Sequence, residues 1–354
     1  MSTITASRTD NPLTAGQLPR YAPWALGAVA LIAGGVIDAL VLAPFDIATT
    51  VFFGAVLFLP LNYLAGRLVV GKRAAADRLA TNLVTAAFLV ALLPLVSLLW
   101  EVLAKGLPRF DATFFSYSMR NVIGDGGGAI HALYGTLYVT GIATVIAVPI
   151  GLMCAIYLVE YGSGALARSI TFFVDVMTGI PSIVAGLFAY ALMAMVFGPG
   201  TINGFSGSLA LAVLMVPIVV RATEELLRIV PNELREASYA LGVPKWRTIT
   251  SVVLPTAVSG IVSGVILAIA RIIGETAPLM IAAGFTNSIN NNPFANPMMT
   301  LPVFVYDQYA HPGVERDFYN ERAWAGALTL IVLVMLLNLL GRFIAKRFAP
   351  KTGR

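Results

Sequence analysis

Residues 235–255 read REASYALGVPKWRTITSVVLP and interrupt a chain that is otherwise strongly apolar. Long hydrophobic runs flank this stretch, yet it carries four charged side chains around a Gly-Val-Pro turn. Helix-forming residues precede Gly242, and Pro244 follows it, a pattern that predicts a short helix ending at the glycine. We therefore expect an amphipathic helix at a membrane surface, joined by a turn to the next membrane span.

The composition indicates a polytopic all-α membrane protein. Of 354 residues, 58% are hydrophobic and 12% are charged, and the mean hydropathy is +0.83. A soluble domain carries roughly twice that charged fraction, whereas apolar runs of about 20 residues are long enough to cross a bilayer as helices. The sequence predicts about eight spans, at residues 22–42, 47–66, 79–103, 132–158, 166–197, 208–228, 252–284 and 323–345.

The distribution of basic residues predicts the orientation of these spans. Segments predicted to lie inside hold 17 of the 23 Lys and Arg residues, segments predicted to lie outside hold five, and Arg271 lies within a span. Basic residues favour the cytoplasmic side. Both termini and the stretch 235–255 are therefore predicted to be cytoplasmic.

Four segments follow from this pattern. Residues 1–21 are predicted to be a disordered lead, and residues 22–75 two additional N-terminal spans. Residues 76–345 are predicted to form a transport domain of six spans, and residues 346–354 a basic tail.

The predicted cytoplasmic segment, residues 232–250, contains residues at characteristic intervals. Asn232 is the expected N-cap residue, and Glu236, Ala237 and Gly242 precede Leu254-Pro255 at fixed intervals. This pattern resembles the EAA loop of the membrane subunits of ABC importers, which forms a coupling helix seated in a cleft of the ATPase subunit. The resemblance implies ATPase contacts at Glu236, Ala237, Ala240, Leu241, Gly242 and Lys245.

Three further stretches narrow the resemblance. GIPSIVAGLFAY (179–190), ARIIGETAPLM (270–280) and PFANPMMTLPV (293–303) are similar to the A-type permease of phosphate-uptake ABC importers. The resemblance implies a type I importer permease fold in the cytoplasmic membrane of a bacterium. It also implies a second, C-type permease, an ATPase dimer that binds the ATP, an extracytoplasmic phosphate-binding protein that meets loop 285–322, and phosphate as substrate, with surrounding membrane lipid.

An anion crossing a membrane needs positive charge within it, because an unpaired charge is costly to remove from water. Arg271 lies within the predicted seventh span, and Glu275 follows four residues later, so the two should share one helix face. They could line a pathway or form a self-neutralising ion pair. Arg221 and Glu224 lie near the inner end of the sixth span. They either form a second substrate contact along the pathway or reflect only the preference of basic residues for the cytoplasmic end of a span.

Two hydroxyl residues complete the predicted pathway. Ser182 follows the Gly179-Ile-Pro181 break, which is either a plain kink or a broken helix that exposes N–H groups to substrate. Thr276 lies beside Glu275 in the Gly-Glu-Thr motif.

The sequence argues against several other functions. It has no P-loop, since the glycine run 124–128 lacks the required lysine, and no catalytic or metal-binding constellation, so we expect neither enzyme activity nor a cofactor of its own. Nearly all basic residues lie in loops or near the ends of spans, which argues against nucleic-acid binding. A permease for molybdate or sulfate remains an alternative, as does an ATPase-independent secondary transporter or channel.

Overall fold

The computed structural model describes residues 18–19, 21–41 and 47–348. The predicted N-terminal lead and most of the predicted C-terminal tail lie outside the described residues. The chain divides between Leu99 and Trp100 into two compact units. The assignment of residues 22–75 as an addition to a transport domain stays a prediction.

The first unit contains α1 (Ala22–Val41), α2 (Ile47–Val69) and most of α3 (Lys72–Gly106). Helices α1 and α2 pack closely because glycines meet at their crossing, where a methyl group on Gly34 would lie 2.5 Å from the Gly54 nitrogen. The buried Asp38 carboxylate accepts hydrogen bonds from the Thr49 and Thr50 hydroxyls, at 2.5 and 3.1 Å. These bonds stabilise a carboxylate inside an apolar hairpin.

All regular secondary structure in the described part of the second unit is helical. Its helices are α4 (Ala112–Ser116), α5 (Ile130–Ile156), α6 (Gly164–Thr178), α7 (Ser182–Phe197), α8 (Gly204–Ile229), α9 (Asn232–Ala240), α10 (Lys245–Thr248), α11 (Leu254–Ile272), α12 (Ala277–Ala282), α13 (Leu301–Ala310) and α14 (Arg316–Phe348). A π-helical turn, Tyr157–Tyr161, extends α5, and another, Ile249–Val253, joins α10 to α11. A 3-10 turn, Leu107–Arg109, precedes α4.

Among the described residues, seven helices are long and apolar enough to cross a membrane, and α6 with α7 makes an eighth if the bent pair is one span. The prediction of about eight spans in an all-α membrane bundle is confirmed. The spans at α1, α2 and α8 match their predicted positions to within about four residues.

The core of this unit is built where α5 packs along α8. Small residues of α5 such as Ala143 and Ala147 are fully buried, and they allow close contact with Leu211 and Met215 of α8. Small residues promote such contacts within membranes, where helices gain little from exclusion of water. Helix α8 therefore lies at the centre, and α6, α7, α11 and α12 pack around it.

Two predicted loops contain helices. The predicted loop 104–131 contains α4, which Asp111 caps by accepting a hydrogen bond from the Phe114 N–H at 2.7 Å. The predicted outward loop 285–322 contains α13 and the first turns of α14. Pro302 lies in the first turn of α13, where no N–H donor is needed, which explains why a proline-containing stretch is helical.

Candidate functional site

The predicted fifth span, 166–197, is not one straight helix. Helix α6 ends at Thr178, α7 begins at Ser182, and the two are bent by 110°. Pro181 causes the break, because it has no N–H to donate and its ring would clash with the Met177 carbonyl. The predicted interruption at Gly179-Ile-Pro181 is confirmed as a sharp break, so residues 166–197 form either one broken span or a re-entrant loop.

The predicted seventh span, 252–284, is interrupted as well. Helix α11 ends at Ile272, and α12 begins at Ala277. Pro278 has no N–H for a bond to the Gly274 carbonyl and would crowd that carbonyl in a continuous helix. Arg271 therefore lies in the last turn of α11 and Glu275 beyond its end, so the prediction that they share one helix face is wrong.

The two breaks border one cavity of about 210 Å³. Arg271, Glu275 and Ser182 all line it, so the structure brings together three of the predicted pathway residues. The other lining residues come from the α6–α7 break, from the middle of α8 and from the end of α11: Met177, Thr178, Ile180, Leu214, Pro217, Ile218 and Ile272.

Arg271 has no ion-pair or hydrogen-bond partner for its side chain within the described residues, and it is exposed. The self-neutralising Arg271–Glu275 ion pair, the alternative to a pathway role, is therefore not formed in this structure. A free guanidinium in a cavity inside a membrane-spanning bundle can form bidentate hydrogen bonds with an oxyanion. The N-terminal end of α7, where Ser182 lies, adds the positive end of a helix dipole.

The remaining hydroxyl residue of the predicted pathway lies elsewhere. Thr276 is the N-cap residue of α12, and its carbonyl accepts hydrogen bonds from the N–H groups of Leu279 and Met280, both at 3.1 Å. It is half-buried but does not line the cavity. In this structure Thr276 shapes the second break.

The second predicted substrate contact, Arg221 with Glu224, does not line the cavity. These two residues belong to a network of ion pairs centred on α8. Glu224 is buried and accepts hydrogen bonds from Arg221 at 2.7 Å and from Arg228 at 2.6 Å. Arg221 also pairs with Asp175 of α6. Sequence reasoning missed Asp175, although an acidic residue within an apolar run is itself a signal.

Two larger clefts are apolar. They have volumes of about 880 and 670 Å³ and lie along α14. Leu330, Val334 and Leu339 line one, and Ile269, Val332 and Leu333 line the other. Apolar walls cannot replace the hydration of an anion. Two polar clefts of about 460 and 380 Å³ lie at loop 285–297 and beside the start of α14, away from the helix breaks. The cavity with Arg271 is therefore the candidate site.

The predicted coupling helix forms as α9, followed by a turn and α10. Gly242 adopts φ +76°, its N–H bonds the Tyr239 carbonyl, and the Val243 N–H bonds the Ser238 carbonyl, which together are the Schellman motif that ends a helix. The prediction that α9 ends at this glycine is confirmed. The prediction of Asn232 as N-cap is wrong: Pro231 occupies that position, and the Asn232 side chain instead accepts a hydrogen bond from Arg235 at 3.2 Å.

The residues predicted to contact an ATPase form one exposed surface. Leu241 is 83% exposed and Trp246 is 63% exposed. Every residue of the predicted contact set is exposed: Glu236, Ala237, Ala240, Leu241, Gly242 and Lys245. Large apolar groups left uncovered beside charged ones are typical of a protein–protein contact.

The opposite face of α9 forms an ion pair with another element, which the sequence did not predict. Glu160, in the π-helical turn after α5, pairs with Arg235 at 2.9 Å, and both side chains are largely buried. Their separation by 75 residues leaves no local pattern that could have revealed the pair.

On the predicted outward side, a buried arginine fastens the glycine run. Arg322 donates hydrogen bonds to the Gly124 and Gly126 carbonyls, at 2.7 and 3.0 Å, and to Gln308 at 2.8 Å. Two carbonyls of the glycine run 124–128 are therefore held by the Arg322 side chain. Asn290 similarly organises the next loop, since its side chain donates to the carbonyls of Ala295, Asn296 and Pro297.

The family described as "Binding-protein-dependent transport system inner membrane component" matches residues 147–354 of this chain. The phosphate transport system permease protein PstA 1 of Mycobacterium tuberculosis (strain CDC 1551 / Oshkosh) is 48% identical over 282 residues, which cover 78% of this chain and 91% of the relative. The PstA protein of Mycobacterium leprae (strain TN) is 47% identical over 296 residues, covering 81% and 95%.

A solved structure of the MetNI methionine ABC transporter, in inward-facing conformations, is similar with a TM-score of 0.53 and 21% identity. It covers 62% of this chain and 96% of that one, and it shows the fold alone. The predicted ABC importer permease fold is thereby confirmed. This chain is a multi-pass inner-membrane protein. It belongs to the binding-protein-dependent transport family and, within that family, to the PstA phosphate transport permeases.

Proposed function

We propose that this chain is the membrane permease through which an ABC importer passes inorganic phosphate into the cell. The observation that carries the proposal is Arg271, a guanidinium without a charge partner among the described residues, in a cavity between two interrupted helices. Phosphate is the substrate named for the most similar relatives. It carries one to two negative charges, which a planar guanidinium can stabilise with paired hydrogen bonds.

The chain contributes a pathway and leaves ATP hydrolysis to other subunits. The exposed surface of α9 and α10 would be seated in the cleft of an ATPase subunit, two copies of which would lie on the cytoplasmic face. A second permease of the C type would cover the open side of the Arg271 cavity. The Asn290 loop and α13 would receive the phosphate-binding protein on the other side, and both termini would be cytoplasmic, as the distribution of basic residues favours.

Transport then follows from alternating access. ATP-driven closure of the ATPase dimer moves α9 and α10 as a body, and tilting of α8 and α11 opens the Arg271 cavity first to one side and then to the other. The two proline breaks allow the ends of α7 and α12 to move separately from α6 and α11, because no helical hydrogen bonds cross them.

Reconstitution of the whole complex tests this function. The chain is purified with every subunit that accompanies it, placed in liposomes, and assayed for ATP-dependent phosphate uptake and phosphate-stimulated ATP hydrolysis. We expect both activities, and we expect the Arg271→Ala complex to lose them while keeping its subunit composition. Phosphate uptake by this chain alone, without ATP, would contradict the proposal in favour of a secondary transporter.

Competition separates phosphate from the other oxyanions. Molybdate and sulfate are added in excess during phosphate uptake, with the same binding protein present. We expect neither to compete effectively. If sulfate or molybdate stimulated ATP hydrolysis better than phosphate, the chain would be a permease for that oxyanion.

A further inference from the structure

We infer that the ion pair between Glu160 and Arg235 is the joint that transmits movement of α9 to the spans, so that both are positioning residues for the coupling of transport to ATP hydrolysis. This inference rests on the proposed function. In the structure, one carboxylate oxygen of Glu160 accepts from Arg235 Nη2 at 2.9 Å and from Nε at 3.1 Å. The two side chains are 4% and 12% exposed.

Arg235 joins three separate elements. Besides Glu160, its Nη2 donates to the Leu227 carbonyl at 3.0 Å, and its Nη1 donates to the Val230 carbonyl at 2.6 Å. These two carbonyls belong to the end of α8, where helical carbonyls lack partners within the helix. One guanidinium therefore connects α9 to the π-helical turn after α5 and to the end of α8.

The chemistry of this joint is specific to arginine. Three nitrogen atoms of the guanidinium are engaged in different directions, and the fork holds them in fixed geometry. A lysine ammonium is a single charged point on a flexible chain and cannot reproduce these contacts. Because burial of an ion pair stabilises a fold poorly compared with apolar packing, its value here lies in fixing the orientation of α9.

The opposite face of α9 is free for a partner. The ATPase-contact residues Glu236, Ala237 and Leu241 are exposed there, while Arg235 and the buried Ser238 face the bundle. Ser238 bonds the Thr248 hydroxyl at 2.8 Å and so holds α9 to α10. A partner that moves the free face must therefore move the fastened face with it.

Helix α8 connects the Arg235 face of α9 to the substrate cavity. Leu227 lies near the end of α8, and Leu214, Pro217 and Ile218 of the same helix line the cavity. A second contact supports the joint, since the Lys245 ammonium lies 4.8 Å from the centre of the Tyr161 ring. Displacement of α9 thus reaches the wall of the cavity through a continuous helix.

The test uses the assembled complex in liposomes and measures the phosphate transported per ATP hydrolysed. The variants are Glu160→Gln, Arg235→Lys and the double exchange Glu160→Arg with Arg235→Glu. Matched controls are Glu225→Gln and Arg168→Lys, at exposed positions of α8 and α6.

We expect the single variants to keep the bound ATPase and its basal hydrolysis, while phosphate transported per ATP falls at least about fivefold, a typical coupling factor. The double exchange should recover part of that ratio, and the controls should match the unmodified complex. An unchanged ratio in both single variants would overturn the inference. So would a parallel loss of ATPase binding and transport, including failure to assemble, because the pair would then serve only folding. Absence of ATP-driven uptake in the unmodified complex would instead overturn the proposed function.

Discussion

Gly186 of α7 lies directly against Pro278 of α12, so that a methyl group on the glycine would meet the proline Cα at 2.7 Å and its carbonyl oxygen at 2.8 Å. Each residue lies just beyond one of the two helix breaks that border the Arg271 cavity. At this contact the backbones of α7 and α12, the helices that follow the two breaks, touch each other. Neither atom of Pro278 can move aside as a flexible side chain would.

Substitution Gly186→Ala should therefore destabilise the bundle. Overpacking of this kind costs about 1–3 kcal/mol, and we expect a lower melting temperature of the purified complex and reduced phosphate uptake. Gly141→Ala is the matched control, since a methyl group there meets nothing within 4 Å. Equal melting temperatures for the two variants would show that the α7–α12 contact yields easily.

Arg271 should be required for phosphate and not merely for assembly. Its charge-assisted hydrogen bonds are worth about 1.5–3 kcal/mol, so Arg271→Ala should lower uptake at limiting phosphate by about 10- to 100-fold. Arg271→Lys should recover only part of this loss, because the fork is missing. Arg342→Ala, at an exposed position of α14, serves as control. Unchanged uptake by an intact Arg271→Ala complex would exclude the pathway role.

Glu224 and Glu225 are adjacent acidic residues on α8, and we expect their substitutions to have different effects on stability. Glu224 is 7% exposed in its side chain and binds two arginines, whereas Glu225 is exposed. Glu224→Gln leaves Arg228 without a carboxylate and Arg221 with Asp175 alone, and it should cost about 1–3 kcal/mol. Glu225→Gln should change stability by no more than about 0.5 kcal/mol. Thermal unfolding of the two purified complexes distinguishes them, and equal transitions would show that the network is not stabilising.

Gly242 should be needed for its backbone conformation. At φ +76° an alanine costs about 1–2 kcal/mol, which lowers the population of the native turn by about 5- to 30-fold. Gly242→Ala should weaken ATPase binding by a similar factor in a pull-down titration. Gly200→Ala introduces the same strain at φ +82° in the connection from α7 to α8. If Gly200→Ala weakened ATPase binding equally, the effect would be general destabilisation.

Arg322 should hold the Gly124–Gly126 turn in place. A lysine ammonium cannot place its donors in the geometry that Nε and Nη1 of Arg322 use for these three hydrogen bonds. Arg322→Lys should therefore destabilise the unit by about 1–3 kcal/mol. The turn should also become more accessible to added protease. Arg316→Lys, at an exposed position of the same helix, should leave cleavage unchanged. Resistance to cleavage in both variants would show that other contacts hold the turn.

The features that the sequence predicted well are those decided by local patterns. The spans follow from apolar length, and the end of α9 follows from Gly242 and Pro244, because these residues act on their own backbone. Pro181 predicted its break for the same reason. Pro278 carries the same information, but the apolar run around it favoured a continuous span.

The features that the sequence could not reveal depend on distant partners. Asp175 is 46 residues from Arg221, and Glu160 is 75 residues from Arg235. These pairs arise only once helix packing has placed the ends of α6, α8 and α9 together. The absence of the Arg271–Glu275 pair has the same origin, since the end of α11 separates two residues whose spacing suggests contact.

The bend between α6 and α7 also bears on the fate of a newly made chain. The two arms have 15 and 16 residues, about 22 and 24 Å of helix at 1.5 Å per residue, and each is shorter than a hydrocarbon layer of about 30 Å. If the bent pair forms one span, the elbow lies at a depth where acyl chains cannot accept or donate hydrogen bonds. A copy made without companion subunits should be degraded sooner, so that its half-life in the cell reports whether it has been assembled.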